Sequence, residues 1–151
     1  MKRYERDIEI TRPPHAVFEF FADMTQLPRW APEDFVSVER IERDDDGEVG
    51  LGTKFELVTK GASARATFAW DRFDPATRLE FSGPRLDVGP GWVEGKGGYR
   101  FEATEHGTRV SAWFEPTLGG FLRLMSPFAR MRNVRLLGKQ LARAKQLLEA
   151  A

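Results

Sequence analysis

IEITRPPHAVFEFFADMTQLPRWAPE, residues 8 to 33, is the stretch on which the fold turns. Ile8 and Ile10 alternate with polar residues and close a strand that begins at Tyr4. Thr11 and the Pro13-Pro14 pair end it. Proline is tolerated in a helix's first turn, where its missing N–H costs nothing, so a helix can start here. Val17, Phe18, Phe21 and Ala22 then recur at helical spacing, which predicts a short amphipathic helix over about 14–23. Pro28 and Pro32 confine the next residues to a turn or a single helical turn.

Downstream the period changes to two. DFVSVERIE (34–42) places Val36 and Val38 on one face, and TKFELVTK (53–60) places Phe55 and Leu57 together. SARATFAWDRF (63–73) carries Ala66, Phe68 and Trp70 in phase, and RLEFSG (78–83) carries Leu79 and Phe81. PRLDVGPG (84–91) reads as a loop. Two long strands come next, GWVEGKGGYRFEAT (91–104) with Tyr99 and Phe101 in phase and TRVSAWFEPT (108–117) with Val110, Ala112 and Phe114, joined by the Gly-containing turn EHGT. Gly95, Gly97 and Gly98 predict bulges or strong curvature in the first of these.

After Gly119-Gly120 the spacing is helical again, through Phe121, Leu124, Met125, Phe128, Val134, Leu137, Leu141, Ala144 and Leu148. This is a long amphipathic helix with its arginines and lysines opposite and a kink expected at Pro127. Short loops between strands favour an antiparallel meander. A sheet apolar on one face must bury it, and the C-terminal helix is the one element long enough. A helix is about 10 Å wide, whereas seven strands at ~4.8 Å span much more. The mismatch predicts a cavity between them or a filling of large side chains.

Composition sets the class. The 151 residues are 41% hydrophobic and 30% charged, a length that suits one domain, 1–151, with a sizeable core. No apolar run approaches the ~20 residues of a membrane span, so integral membrane association is not expected. The start, MKRYERDIEI, lacks the apolar stretch of a secretory signal, and a cytoplasmic location is expected. Without cysteine there is no disulfide, thiol nucleophile or Cys-ligated metal.

The 23 basic and 23 acidic residues are unevenly placed. Glu33, Asp34, Glu39, Glu42, Asp44, Asp45, Asp46 and Glu48 face only Arg40 and Arg43 over 33–48, while 119–151 holds seven bases (Arg123, Arg130, Arg132, Arg135, Lys139, Arg143, Lys145) against Glu149. A basic helix face can attract nucleic acid or anionic lipid. With no global positive charge, a solvated face is the simpler reading, and no nucleic-acid partner is expected.

The order of elements and several local patterns resemble the START-like (SRPBCC) superfamily, and within it the bacterial polyketide cyclase/dehydrase-like group. The matching stretches are 8–33, VGLGTKF (49–55), WDRFDPATRLEF (70–81), YRFEATEHGTRV (99–110) and the terminal helix ending in LLE. The resemblance implies the α+β helix-grip (START/Bet v 1-like) fold: a seven-stranded curved antiparallel sheet wrapped around the long helix, with two short helices between strands 1 and 2. It also implies an apolar ligand cavity between sheet and helix, but no reaction, because these are scaffold motifs. In this frame Phe18 and Phe21 are core, Phe20 tends outward, and Trp30 stands at the cavity mouth.

No catalytic constellation is readable. GEVGLG (47–52) opens a strand, not a helix, and so lacks the helix N-terminus that holds phosphate. His15 and His106 have no partner at metal-ligand spacing, and no metal or other cofactor is implied. Ser63, Ser82, Ser111 and Ser126 sit in no nucleophile elbow. What remains is the apolar face: Phe55, Leu57, Phe68, Trp70, Phe81, Tyr99, Phe101 and Phe114 on strands, facing Phe121, Leu124, Met125 and Phe128, with Trp30 at the entrance. These are the candidate ligand-binding residues. Many of them must be core in part, since each large side chain contributes roughly 1.5–3 kcal/mol on burial.

Tyr99 and Arg72 are the polar members. Arg72 continues the Phe68–Trp70 phase, although solvent is the common place for a strand arginine. Inward, it could stabilise an enolate while Tyr99 donates a proton. Three functions are compatible with this set: binding of a small hydrophobic molecule (a lipid, polyketide or isoprenoid), by a monomer or homodimer; polyketide cyclase or dehydratase chemistry through Tyr99 and Arg72; or a protein-interaction module similar to the Hsp90-activator relatives, with a filled interior.

Overall fold

A computed structural model describes residues 3–41, 47–60 and 65–151. Glu42, Arg43 and Asp44 to Asp46 of the acidic stretch, and Gly61 and Ser63 ahead of the 66–73 strands, lie outside the described residues.

The chain runs β1 (Tyr4–Ile10), α1 (Pro14–Ala22), a 3-10 turn at Met24–Gln26, α2 (Leu27–Trp30), β2 (Phe35–Arg40), β3 (Lys54–Thr59), β4 (Ala66–Ala69), β5 (Arg72–Asp74), β6 (Arg78–Ser82), β7 (Leu86–Val88), β8 (Gly91–Ala103), β9 (Thr108–Gly120), a 3-10 turn at Phe121–Met125 and α3 (Ser126–Glu149). All strand pairs are antiparallel. One ladder orders β1-β9-β8-β6-β5, with β7 also on β8, and a second orders β2-β3-β4. This is the expected helix-grip arrangement of a curved sheet around a C-terminal helix, with two short helices after β1.

Details differ from the period-two reading, each for a physical reason. The run 63–73 is divided between β4 and β5 at Trp70-Asp71, so one continuous stretch of chain passes from the smaller ladder to the larger. Pairing of β2 with β3 shifts register between Phe35 and Ser37. That bulge turns Val36 out to 60% exposure while Val38 stays buried, so the two valines do not share a face. Residues 86–88, read as loop, form a three-residue strand on β8.

The glycines of β8 are not bulges, since β8 and β9 pair in unbroken register from Gly91 to Ala103. They make room instead. A Cβ on Gly97 would stand 2.8 Å from Phe81 Cζ, 2.8 Å from Phe114 Cδ1 and 2.7 Å from the Trp113 carbonyl oxygen. The two rings therefore lie directly over bare backbone.

Pro127 does not kink α3. It sits in the first turn of that helix, and the residues before it form the 3-10 turn. The helix then divides functionally. Leu137, Leu141, Ala144 and Leu148, spaced at three and four residues, are buried and pack against β1 and α2. Among the described side chains of α3, none before Leu137 is buried. The C-terminal half grips the sheet, and the N-terminal half stands off it.

Helix α1 closes the opposite end. Val17, Phe18 and Phe21 are buried, with Phe18 edge-on to Phe73 (5.0 Å between centroids) and Phe101 (5.3 Å). Phe20 is half-buried against Phe21. The tight seat of Gly97 makes a direct test. Gly97→Ala should destabilise the protein by about 1–3 kcal/mol, the range for overpacking a filled site. Thermal or urea denaturation reads this, and an unchanged midpoint would show that Phe81 and Phe114 are not held against β8.

Candidate functional site: an apolar cavity under the helix overhang

Where α3 projects beyond its grip, a cavity of about 750 Å³ opens between its N-terminal half and the sheet. That lies within the roughly 300–1,000 Å³ of small-molecule sites. Its walls come from three directions. The strands supply Leu57, Phe68, Trp70, Phe81, Tyr99 and Phe114, the α2 region supplies Met24, Leu27 and Trp30, and α3 supplies Phe128, Leu136, Leu137 and Gln140. The rim includes Leu86, Val88, Leu118, Leu122 and Met125.

The aromatic rings form a linked shell. Centroid distances are 5.0 Å for Phe68–Phe81, 5.8 Å for Phe81–Phe114, 6.3 Å for Trp70–Tyr99 and 6.4 Å for Trp30–Tyr99. Tilted and edge-on pairs of this kind are favourable beyond the area they bury. Both tryptophans are tied to neighbouring elements, Trp70 through its indole and Trp30 through its main chain. Trp70 Nε1 donates to the Ala22 carbonyl at the end of α1 (3.0 Å), and the Trp30 carbonyl accepts from Arg143 (3.0 Å).

Of the candidate ligand-binding residues, Trp30, Leu57, Phe68, Trp70, Phe81, Tyr99, Phe114, Met125 and Phe128 line this space. Four do not. Phe55 is fully buried and pairs across strands with Phe68, and Phe101 packs behind α1 against Phe18 and Phe21. Phe121 and Leu124 point to solvent, because the 3-10 turn rotates them away from the phase that an unbroken helix would give. Trp30 is not at the mouth as expected. It is 3% exposed, edge-on to Phe21 at 5.2 Å, and belongs to the inner wall, while Met125 and Phe128 stand at the opening.

Arg72 is outside the cavity. Its Nε donates to Asp74 Oδ2 (2.7 Å) on the outer surface, and both side chains are nearly half exposed. The break between β4 and β5 lies between Trp70 and Arg72 and ends their shared phase. Tyr99 is in the wall, and burial pushes its phenol above the ordinary tyrosine value, with a further contribution from Tyr4. Tyr4 itself is pushed up to about 12, first by burial and then by Asp34, against the opposing Arg130 and Asn133. Both phenols are therefore neutral at physiological pH and can donate hydrogen bonds. Thr59 adds a hydroxyl in the cavity wall that is buried and has no hydrogen-bond partner among the described residues. Such groups ordinarily find one, from protein or solvent.

Sequence reasoning missed Tyr4, Met24, Leu27, Leu86, Val88, Leu118, Leu122 and Leu136 as lining residues. For Tyr4 a signal existed, because the phase of Ile8 and Ile10 extends back to it. For Leu86 and Val88 a three-residue strand is too short to show a period. His15 and His106 are exposed, and the described residues contain no cluster of three or more His, Asp or Glu able to hold a metal. Among them, no helix is long and apolar enough to cross a membrane. Residues 47–52 form loop and turn into β3, where Gly52 at φ +86° takes the left-handed conformation that favours glycine.

A polar clamp frames the cavity. Arg143 of α3 reaches Glu33 with both terminal nitrogens (NH1–Oε1 3.0 Å, NH2–Oε2 2.9 Å), and Gln140 Nε2 donates to Asp34 Oδ2 (2.9 Å). The fork geometry suits a carboxylate. It ties the gripping half of α3 to the segment after α2. The Arg143 hydrogen bond is the main reason that Glu33 is held down to about 2, well below the usual carboxylate value.

A family profile for polyketide cyclase / dehydrase and lipid transport proteins matches residues 1–149, and the chain belongs to that family. Among solved structures, protein MLL2253 from Mesorhizobium loti is similar at 12% identity and a TM-score of 0.69, over 99% of this chain and 98% of that one. TTHA0849 from Thermus thermophilus is 21% identical with a TM-score of 0.69, covering 99% and 97%. The Aha1 dimer from Colwellia psychrerythraea is 13% identical with a TM-score of 0.67, also covering 99% and 97%. At these identities the likeness is one of fold. Comparison with curated proteins gives no match.

The clamp makes a pH prediction. Glu33 sits near 2 when folded against an ordinary value of 4.5. Its contribution is therefore complete above about pH 5 and is lost as pH falls from there toward 2. With both partners about a quarter exposed, we expect Glu33→Gln to cost about 1–2 kcal/mol at neutral pH. The gap between wild type and variant should close as pH approaches 2. Urea midpoints of the two proteins across that range check it, and a gap independent of pH contradicts it.

Proposed function

We propose that the protein binds a small hydrophobic molecule, such as a lipid, polyketide or isoprenoid, in the cavity between the sheet and the overhanging half of α3. The single observation that carries this reading is the cavity of about 750 Å³ with an aromatic wall. Folding favours filling such a volume with side chains, because voids forfeit dispersion and cost stability in proportion to their size. A ligand that fills it regains those contacts. Charged and amide side chains (Glu33, Asp34, Lys60, Glu94, Lys96, Arg132, Asn133 and Gln140) contribute to the lining, and the neutral hydroxyls are three, those of Tyr4, Tyr99 and Thr59. These hydroxyls suit one carbonyl or hydroxyl on an otherwise apolar molecule.

The two phenols of the wall are donors rather than bases, and of the carboxylates in the lining Glu33 is paired with Arg143 and Asp34 accepts from Gln140. A phenol kept neutral by burial hydrogen-bonds a ligand oxygen without removing a proton from it. Arg72, the group that would have stabilised an enolate, is engaged outside with Asp74. These placements favour binding over cyclase or dehydratase chemistry. The interaction-module reading calls for a filled interior, and the open space of about 750 Å³ weighs against it.

Thermal shift and native mass spectrometry across fatty acids, isoprenoids and polycyclic aromatics test the proposal. A fitting ligand at 100 times its dissociation constant stabilises by about 2.7 kcal/mol. For a domain of this size, that is roughly 5–10 °C in Tm. If neither a shift nor an adduct is seen with any class, the reading fails. Tyr99→Phe should leave Tm within about 2 °C, since the ring stays packed. It should weaken carbonyl-bearing ligands by about three- to tenfold, the worth of one hydrogen bond, and leave pure hydrocarbons unchanged. Equal effects on both would remove the hydroxyl from the site.

A further inference from the structure

The cavity opens onto an unusual surface. Five of the eight large hydrophobic residues exposed among those described fall within residues 121–131, at the 3-10 turn and the start of α3. They are Phe121 (54% exposed), Leu124 (76%), Met125 (45%), Phe128 (74%) and Met131 (65%). Scattered apolar residues need no explanation on a protein surface, whereas a contiguous patch does. Met125 and Phe128 also line the opening, so the patch is continuous with the cavity rim.

The charges within its own segment have one sign. From Pro116 to Leu148 the sequence contains no acidic residue. Arg123, Arg132 and Arg135 are exposed beside the patch. On α3, Phe128, Met131, Arg132 and Arg135 are spaced three, four and seven residues apart and share a face. At 1.5 Å per residue, Arg132 and Arg135 lie about 6 and 10 Å along the axis from Phe128. On the strand side, β8 contributes Glu94 and Lys96 to the lining, while Asp87 lies on β7 and Arg85 stacks on Trp92 at 4.2 Å.

We propose that this tip docks on an anionic phospholipid surface, with the cavity mouth held against the bilayer. Leu124, Phe128 and Met131 enter the boundary between headgroups and acyl chains, a depth of about 5–10 Å for interfacial helices. The arginines behind them lie at phosphate level, where their stems cover apolar surface and their guanidiniums pair with phosphate. A second copy of the chain is the poorer occupant. A two-fold contact would set the same arginines against their own symmetry mates with no acid in the segment to offset them. Nucleic acid would use the arginines but leave the apolar residues uncovered.

The test is cosedimentation with vesicles of phosphatidylcholine alone and of phosphatidylcholine mixed with phosphatidylglycerol, at low and at molar salt. We expect binding to the mixed vesicles at low salt, little to phosphatidylcholine alone, and loss in molar salt. Each arginine near an anionic surface changes the partition coefficient about fivefold. Arg123→Glu with Arg135→Glu should therefore reduce binding at least about 25-fold, and Leu124→Asp with Met131→Asp should abolish it. All four positions are exposed and outside the cavity lining, so both variants should keep the wild-type Tm and take up apolar ligands from solution as before. That separates failure of the docking from failure of the ligand reading. Absence of binding to mixed vesicles overturns the proposal, as does binding that both variants retain. So does light scattering that shows a wild-type dimer which Leu124→Asp with Met131→Asp converts to monomer, for then a second copy covers the patch.

Discussion

One helix of about 10 Å width cannot cover the concave side of a sheet this wide, and the rest of the structure depends on how that shortfall is handled. The helix does not spread its apolar residues along its whole length. Leu137, Leu141, Ala144 and Leu148 are buried, and the described side chains of the turns before them are not. The sheet has aromatic rings on the face left uncovered, and glycines in β8 let Phe81 and Phe114 lie close to the backbone. Large rings narrow the gap without closing it.

Holding a helix by one half requires that half to be fastened. The bidentate Arg143–Glu33 pair, the Arg143 bond to the Trp30 carbonyl and the Gln140–Asp34 bond do so at the α2 end. At the far end, Thr11 donates through its N–H and its hydroxyl to Glu149 Oε2 (2.9 and 2.8 Å). Apolar burial supplies the attraction, and these polar contacts set the position along the sheet. They keep Trp30 and Gln140 in the cavity wall, so the shape of the cavity depends on these polar contacts as well as on its aromatic rings.

Much of this was legible in the sequence because it rests on local period. The alternation of Phe55 with Leu57 and of Val110 with Ala112, the helical spacing of Val17, Phe18 and Phe21, and the turn at Gly107 each appear where the pattern places them. Features that depend on tertiary pairing were not legible. The bulge at Val36 and the break between Trp70 and Arg72 arise from which strand lies alongside, and no period in their own segment announces them. Pro127 read as a kink because the helical spacing continued upstream through Phe121 and Leu124, although a 3-10 turn there carries those side chains outward. Phe55 and Phe101 show the limit most plainly. Both share the inward phase with the cavity residues, and only their neighbours in space place them in the packed core.

The central claim is that the space beside β4 is a cavity and not a core. Ala66 of β4 is buried and lines it, so the thermal midpoint of Ala66→Phe tests this most directly. In a packed interior the added ring costs about 1–3 kcal/mol, a fall in Tm of several degrees. The account predicts instead an unchanged or raised Tm, because the ring enters empty space and gains contacts. A clear fall would mean that the interior is already full.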